Sequence, residues 1–226
     1  MVSNLSENFT RYDQKLEFIL RNAARIFAEK GYHSTTMRDI SRETGVSLAG
    51  LYHYCKSKEE LLFLIQDNCF GRVLERLQER LRETSEPVEK LRFVIENHLS
   101  FFAANMAEMK VLSHEADSLA GELHAHVSDK KQQYTQLVRQ ILSEVQQAQT
   151  GDARKVDITV GTYALFGMMN WIYNWYDPRG VLSVNELVEN ITRLFLTGFL
   201  VGARGDELQF GSKVTEAGRP SVWRAT

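Results

Sequence analysis

The chain contains 226 residues, of which 43% are apolar and 25% are charged, and its net charge is −2 at pH 7. This length and composition suit a globular protein with one large or two small domains, and they exclude a generally basic nucleic-acid binder. Only three prolines occur, which favours long helices over a loop-rich β fold.

Cysteine content and hydropathy point to a compartment. Cys55 and Cys69 lack the spacing of a disulfide framework, so we expect free thiols in a reducing cytosol. No basic-then-apolar segment of the leader type begins the sequence. The most apolar stretch, 160–176, is short and interrupted by glycines and asparagines. We therefore expect a cytoplasmic protein without a membrane span.

The first predicted element is an amphipathic helix over 11–30, where apolar residues recur at intervals of three and four and Gly31 follows. Two short helices are predicted next, over 36–44 and 47–54, with Gly45 supplying the positive φ that a helix C-terminus needs. This pattern indicates a DNA-binding helix-turn-helix, and it equally fits an ordinary helical hairpin with a glycine corner.

Charge is distributed unevenly around this pattern. Between Arg21 and Lys58 the sequence holds seven basic and three acidic residues, a local balance of +4 that leaves −6 for the rest of the chain. A basic module on an acidic protein fits a DNA reader with a separate regulatory body. Ordinary charged helix surfaces are the alternative.

A long helix of about 26 residues, spanning roughly 40 Å, is predicted from Ser57 to about Glu83. It connects the first module to the rest of the chain without a flexible linker. Further helices are predicted from Pro87 through Phe102, Met106 to about Leu119, Glu122 to about Gln147, Ala153 to Tyr176, and from a cap at Ser183. We divide the chain into a DNA-binding domain at 1–56, a ligand-binding and dimerisation domain at 57–203, and a tail at 204–226 that we expect to be disordered.

The N-terminal module resembles the TetR/AcrR family of bacterial transcription regulators. The motif residues are Ile26-Phe27, Gly31-Tyr32, Thr35-Thr36, Asp39-Ile40, Gly45-Val46-Ser47, Gly50-Leu51-Tyr52-His53-Tyr54 and Lys58. The resemblance implies an all-α fold, in which a three-helix head is joined by a long helix to a helical body. It also implies a homodimer that represses from a pseudo-palindromic double-stranded DNA operator until a hydrophobic small molecule releases it.

Carried over by position, the resemblance implies phosphate contacts from Thr36, Tyr52, Tyr54 and Lys58. It also implies a groove-facing or backbone-near set on the second short helix, which comprises Ser47, Leu48, Ala49, Gly50 and His53. Arg38 is a further DNA-binding candidate. Leu48 departs from the family pattern, because a polar or basic base-reading residue is common at its position, so contact with thymine methyls is expected to contribute to readout.

The stretch 161–176 is apolar on nearly all sides, so a helix there must be covered on both faces. Gly161 and Gly167 would let another helix approach closely. The family resemblance implies a dimer formed by the last two helices, with candidate interface residues Tyr163, Leu165, Ile172, Leu187, Ile191, Leu194, Phe195 and Phe199. A plain buried core helix is the alternative.

The run from Met168 to Pro178 is similar to regulators of fatty-acid and sterol catabolism that respond to acyl-coenzyme A thioesters, which makes a fatty acyl-CoA the candidate effector. Apolar and aromatic residues suit an acyl tunnel. The candidate ligand-binding residues are Phe101, Phe102, Asn105, Met106, Met109, Phe166, Met169, Asn170, Trp171 and Tyr173, for each of which core packing is the alternative. Candidate cations for the coenzyme A head are Arg72, Lys110, Arg139 and Arg179.

Two further function classes are weighed against this hypothesis. His114, Glu115, Asp117, His124 and His126 carry groups that bind divalent cations, but the last two point to different sides of a helix. We expect no metal site, no cofactor and no catalytic residues, since phosphate loops, nucleophile elbows and HExxH patterns are missing from the sequence. A metal-binding protein or a helical interaction protein that does not bind DNA remains the alternative.

Overall fold

The computed structural model describes residues 10–115, 117–148 and 156–200, without the side chains of Phe199 and Leu200. All regular secondary structure in these ranges is helical, which confirms the predicted all-α fold. The helices are α1 (Arg11–Lys30), α2 (Met37–Thr44), α3 (Leu48–Tyr54), α4 (Lys58–Arg80), α5 (Pro87–Ala104), α6 (Met106–His114), α7 (Gly121–Gln147), α8 (Ile158–Asn170) and α9 (Val184–Leu200). The predicted tail at 204–226 lies outside the described residues.

Hydroxyl and carboxylate side chains begin most of these helices. Three capping boxes form, in which a hydroxyl accepts from a backbone N–H three residues on and a carboxylate there accepts in return. The pairs are Thr10 with Asp13, Thr36 with Asp39, and Ser183 with Glu186. At α4 the predicted box is only half formed. Ser57 accepts from the Glu60 N–H, but the Glu60 carboxylate accepts from the Lys56 N–H.

Two predicted helices are shorter than their apolar patterns suggested. The helix expected to reach Leu119 ends at His114, and Leu119 is buried in the connection that follows. The helix expected to reach Tyr176 ends at Asn170 and tightens into a 3₁₀ turn over Trp171–Asn174. The Trp175 and Tyr176 N–H groups both donate to the Ile172 carbonyl there. This tighter turn brings Ile172 and Tyr176 into the core.

The head consists of α1, α2, α3 and the first turns of α4, around a core that includes Ile19, Phe27, Ile40, Leu51 and Leu62. The same core also contains side chains from α6, α7 and the connection between them, namely Val111, Val127 and Leu119. In the structure α1 packs against both α4 and α6. The head is therefore joined to the body by a shared apolar core as well as by the chain.

The body places α5 against α7 and α9, and α7 against α4 and α8. Its core takes up five of the residues predicted to form a dimer interface: Leu165, Ile172, Leu187, Ile191 and Phe195. Each is at most 7% exposed. These side chains cover the protomer's own core and leave little of their surface for a contact with a second copy. Among the described helices, none is long and apolar enough to cross a membrane.

Candidate nucleic-acid interface and ligand cavity

The turn between α2 and α3 is built by Gly45, whose φ of 65° is a left-handed conformation that side-chain-bearing residues rarely adopt. Val46 is buried beneath the turn, and its carbonyl accepts from the Ser41 hydroxyl at 2.7 Å. Ser47 then caps α3 by accepting from the Gly50 N–H at 3.1 Å. These contacts fix the angle at which α3 leaves the head.

The outer face of α3 combines small and aromatic side chains. Ser47, Ala49, Tyr52 and His53 are exposed, whereas Leu51 faces the core. Leu48 and Gly50 are half-buried at the edge of this face. A short, exposed helix of this kind, held by a glycine turn against two other helices, has the shape that enters a DNA major groove.

An aromatic cluster of Tyr12, His53 and Tyr54 borders this face. The Tyr12 ring lies 4.7 Å from the Tyr54 ring and 6.0 Å from the His53 ring, measured between centroids. Tyr12 lies in the first turn of α1 and is absent from the sequence-based candidates, because the sequence does not show that it is close to α3. The cluster holds Tyr54 in place at the end of α3.

Thr36 and Arg38 lie exposed at the start of α2. Arg38 forms no ion pair among the described residues, whereas Arg42 pairs with Asp39. Hydrogen bonds from the Thr36 side chain and N–H, with a smaller contribution from Arg42, lower the pKa of Asp39 to about 2. Arg38 is therefore a cation at this edge of the head that remains available to a phosphate.

Lys58 has a different role from the predicted phosphate contact. Its ammonium donates to the carbonyls of Tyr32 and Thr35, both at 2.8 Å, and to that of His33 at 3.4 Å. It also lies 4.4 Å from the centre of the Tyr32 ring. All three N–H donors of an ammonium are thereby used within the head. Lys58 therefore links α4 to the turn that follows α1.

A cavity of about 470 Å³ lies in the body between α4, α5, α6, α7 and α8. This volume falls in the usual range for small-molecule sites. Six of the predicted ligand-binding residues line it: Phe102, Met109, Phe166, Asn170, Trp171 and Tyr173. Its walls are completed by Phe70, Val73, His98, Leu112, Ser113, Lys131, Tyr134, Thr135, Tyr163 and Gly167.

Four predicted ligand-binding residues do not reach this cavity. Phe101 and Asn105 border a separate cleft on the opposite side of α5. Met169 is fully buried in the body core, and Met106 packs against that core. Helical periodicity explains the outcome, because neighbouring residues on a helix face different sides and only one side of α5 meets the cavity.

Two buried polar residues of the cavity are absent from the sequence-based candidates. His98 and Tyr134 are 3% and 4% exposed, and His98 Nδ1 lies 3.1 Å from the Tyr134 hydroxyl. Burial lowers the pKa of His98 to about 4, with the Asn170 side chain opposing the shift, so the imidazole is neutral. The sequence signal that could have identified them is a His or Tyr at an inward-facing position of an amphipathic helix.

Among the described residues, one cation lines the cavity: Lys131, whose side chain is exposed. The four predicted cations lie elsewhere. Arg72 pairs with Glu17, Arg139 donates to Thr159, and Arg179 pairs with Asp177, while Lys110 borders a small cleft next to the head. Lys131 is absent from the sequence-based candidates, because spacing alone does not show which side of α7 meets the cavity.

The residues weighed as metal ligands are spread apart. His126 pairs with Asp67 at 2.8 Å, His114 contacts the Tyr173 hydroxyl at 3.1 Å, and His124 contacts Ser128 at 3.4 Å. Within the described ranges, no three His, Cys, Asp or Glu side chains converge on a point where a metal ion could sit.

Of the predicted dimer-interface residues, Tyr163 and Leu194 are 62% and 63% exposed. Val160 and Trp171 extend this exposed apolar surface along α8. Phe199 belongs to the predicted set, but its side chain lies outside the described part of the chain. An apolar surface of this kind on a body with a covered core marks a candidate contact with another protein chain.

Comparisons with known proteins place both regions in one class. Residues 19–65 match the family model for bacterial regulatory proteins of the tetR family, and residues 84–199 match that for the tetracyclin repressor-like C-terminal domain. The crystal structure of AibR in complex with isovaleryl coenzyme A and operator DNA is 31% identical, with a TM-score of 0.69, and covers 80% of this chain and 97% of that one.

Two curated relatives are similar over most of their length. A fatty acid metabolism regulator protein of Bacillus subtilis is 28% identical over 179 residues, which are 76% of this chain and 90% of the relative. The HTH-type transcriptional repressor KstR2 of Mycobacterium tuberculosis is 24% identical over 183 residues, which are 80% of this chain and 90% of the relative.

Proposed function

This chain belongs to the tetR family of bacterial regulatory proteins and is a ligand-responsive, DNA-binding transcriptional repressor rather than an enzyme, and we propose that its ligand is a fatty acyl-coenzyme A. The observation that carries the proposal is the cavity of about 470 Å³, which is lined mostly by apolar and aromatic side chains and has Lys131 on its wall. A relative that regulates fatty acid metabolism and a similar structure that holds isovaleryl coenzyme A support it.

We assign the two parts of the effector to different parts of the site. The acyl chain fills the apolar cavity, where Phe102, Met109 and Phe166 provide contact area and the flexible Met109 adapts to chain shape. The phosphates of coenzyme A remain near the surface, and Lys131 attracts them. An exposed ion pair contributes little in water, so Lys131 adjusts affinity while burial of the acyl chain supplies most of it.

Operator binding is assigned to the outer face of α3 and the start of α2. Ser47, Ala49 and His53 face the groove, while Thr36, Arg38 and Tyr52 contact phosphates on either side. TetR regulators typically bind DNA as dimers, and we assign the dimer contact to the exposed surface of α8 and α9. A monomer with a single DNA-binding head would bind too weakly to select one operator, so two heads are needed.

The connection between the cavity and the head runs through α6. Met109 and Leu112 of α6 line the cavity, and the Tyr173 hydroxyl on the cavity wall contacts His114 at the end of α6. The other side of α6 packs against α1, with Val111 buried in the head core. A ligand that displaces α6 therefore shifts the head, because a close-packed core transmits small displacements.

The test is operator release measured by fluorescence anisotropy, with labelled DNA from upstream of the protein's own gene. Acyl-CoA thioesters from isovaleryl to palmitoyl are added, with coenzyme A alone and the free acids as controls. At least one thioester should release the DNA and raise the melting temperature. If no thioester does either, the acyl-CoA proposal is wrong, even though operator binding itself is observed.

A charge-matched pair of variants tests the assignment of Lys131. Lys131→Gln should reduce the affinity for the thioester that releases DNA by about two- to fivefold at low salt, which is the loss expected for one exposed ion pair. The reduction should be smaller at high salt. Lys110→Gln removes the same charge from the body but lies at a different cleft, so it should have no effect. Equal effects of the two variants would show that only net charge matters.

A further inference from the structure

One polar group of the cavity has an unused hydrogen-bonding atom. His98 is 3% exposed, and its ring is surrounded by the rings of Phe102, Tyr134 and Phe166. Its Nδ1 lies 3.1 Å from the Tyr134 hydroxyl, whereas its Nε2 has no hydrogen-bond partner among the described residues. A buried polar atom without a partner is costly, so its place on a cavity wall indicates a group that a ligand supplies.

The contact with Tyr134 determines which ring nitrogen carries the hydrogen. Tyr134 is buried, and burial raises the pKa of its hydroxyl, so it keeps its proton. His98 Nδ1 is the one hydrogen-bond partner of that hydroxyl in the described ranges. If the hydroxyl accepted from Nδ1, its own hydrogen would be buried without an acceptor. It therefore donates to Nδ1, and the neutral imidazole carries its hydrogen on Nε2.

We infer that the cavity selects ligands with a neutral carbonyl oxygen, which accepts a hydrogen bond from His98 Nε2. A carboxylate fits less well, because a buried anion needs a compensating charge and the one cation that the described part of the chain places on the cavity wall is the exposed Lys131. Asn170 lines the cavity next to His98, and its side-chain amide is a second polar group there. The inference rests on the proposed function, because it takes the body cavity as the effector site.

A neutral carbonyl can come from two sources, the thioester of an acyl-CoA or a keto group in a chain. Two probe pairs separate them. Lauroyl-coenzyme A is compared with the dodecyl thioether of coenzyme A, and methyl undecyl ketone is compared with methyl undecyl sulfide. Each pair differs mainly in the carbonyl oxygen. Calorimetric dissociation constants of the full-length protein should favour the carbonyl member of one pair by about three- to tenfold.

Two variants of His98 assign the preference to one nitrogen. A glutamine amide reaches the position of the imidazole Nε2, and an asparagine amide reaches only that of Nδ1. His98→Gln should keep the carbonyl preference, and His98→Asn should reduce it to nearly one. The ratio within a pair is compared, so a loss of affinity common to both probes cancels. If a variant does not fold, the comparison of the two members of each probe pair on the wild-type protein still tests the inference.

The inference is overturned if the wild-type protein binds both members of both pairs equally, if it binds none of the four probes, or if His98→Asn keeps the preference. A preference in the coenzyme A pair identifies the thioester, and a preference confined to the other pair identifies a keto group. A protein that prefers the ketone but is not released from DNA by any thioester disproves the acyl-CoA proposal and leaves this inference standing.

Discussion

Replacing Lys58 with methionine separates a structural cation from a DNA-binding one. Methionine keeps most of the length and the apolar stem of lysine but removes the ammonium. In the folded protein that ammonium donates to three carbonyls in the turn after α1, two of them at 2.8 Å. It also lies over the Tyr32 ring at 4.4 Å.

The expected loss of stability follows from these contacts. A hydrogen bond to a charged group contributes about 1.5–3 kcal/mol, and an exposed cation–π contact about 0.5–1 kcal/mol. Water can reach part of the turn and replace some of the lost donors, so we expect Lys58→Met to lower the free energy of unfolding by about 2–4 kcal/mol. For a chain of this size the melting temperature should fall by roughly 5–15 °C.

Arg38→Met is the matched control, since it removes one positive charge from the same head. Arg38 is exposed and has no ion pair within the described ranges, so its loss should change stability by less than about 0.5 kcal/mol. It should instead weaken operator binding and reduce the slope of log affinity against log salt by about 1 per head. Thermal unfolding and anisotropy titrations at several salt concentrations measure the two quantities.

The refuting result is specific. If Lys58→Met leaves the melting temperature within about 2 °C of the wild type and flattens the salt dependence as Arg38→Met does, then Lys58 contacts phosphate and the structural role is wrong. Titrations are carried out well below the melting temperature of Lys58→Met, so that unfolding does not imitate weak binding.

Three further outcomes are expected. Tyr12→Ala should weaken operator binding several-fold, because it removes the ring contact of about 0.5–1.5 kcal/mol that holds Tyr54 in place. Tyr12→Phe keeps that ring contact and should bind the operator as the wild type does. Fluorescence anisotropy measures the operator affinity of both variants. The lowered pKa of Asp39 means that its stabilising bonds to Thr36 are present above about pH 4 and are lost as pH falls towards about 2. Acid unfolding of Thr36→Ala should show a smaller loss, because the hydroxyl is removed while the backbone N–H still donates to Asp39. Gly45→Ala should destabilise the head by about 1–2 kcal/mol in urea unfolding, because φ is 65° and not because space is short.

Much of the fold follows from local sequence, because helix starts, helix ends and amphipathic stripes are decided by neighbours within four residues. Thr36 with Asp39, Gly45 and Ser183 with Glu186 mark boundaries that the structure confirms. The end of α8 was mispredicted for the same reason. Apolar residues continue past Asn170, and only packing of Ile172 and Tyr176 against the core tightens the chain there.

The face of a long helix that meets another element is not a local property, and there the sequence was least informative. Apolar residues on α8 and α9 are alike in sequence, yet Leu165 is buried in the protomer and Tyr163 is exposed. The family motif suggested a phosphate contact for Lys58, which the turn after α1 instead engages from 26 residues away in sequence. Both outcomes depend on how helices distant in sequence are arranged around one another.

The sequence by itself determined three things: an all-α chain, a pair of short helices joined by a glycine turn within a basic module, and the resemblance to a class of regulators. All three depend on short motifs with fixed spacing. Only the tertiary structure decided which aromatic residues enclose the cavity, that His98 and Tyr134 form a buried polar pair on its wall, and that Lys131 is the cation there. A cavity is formed by side chains from several helices. Its composition is therefore set by helix packing rather than by any one segment.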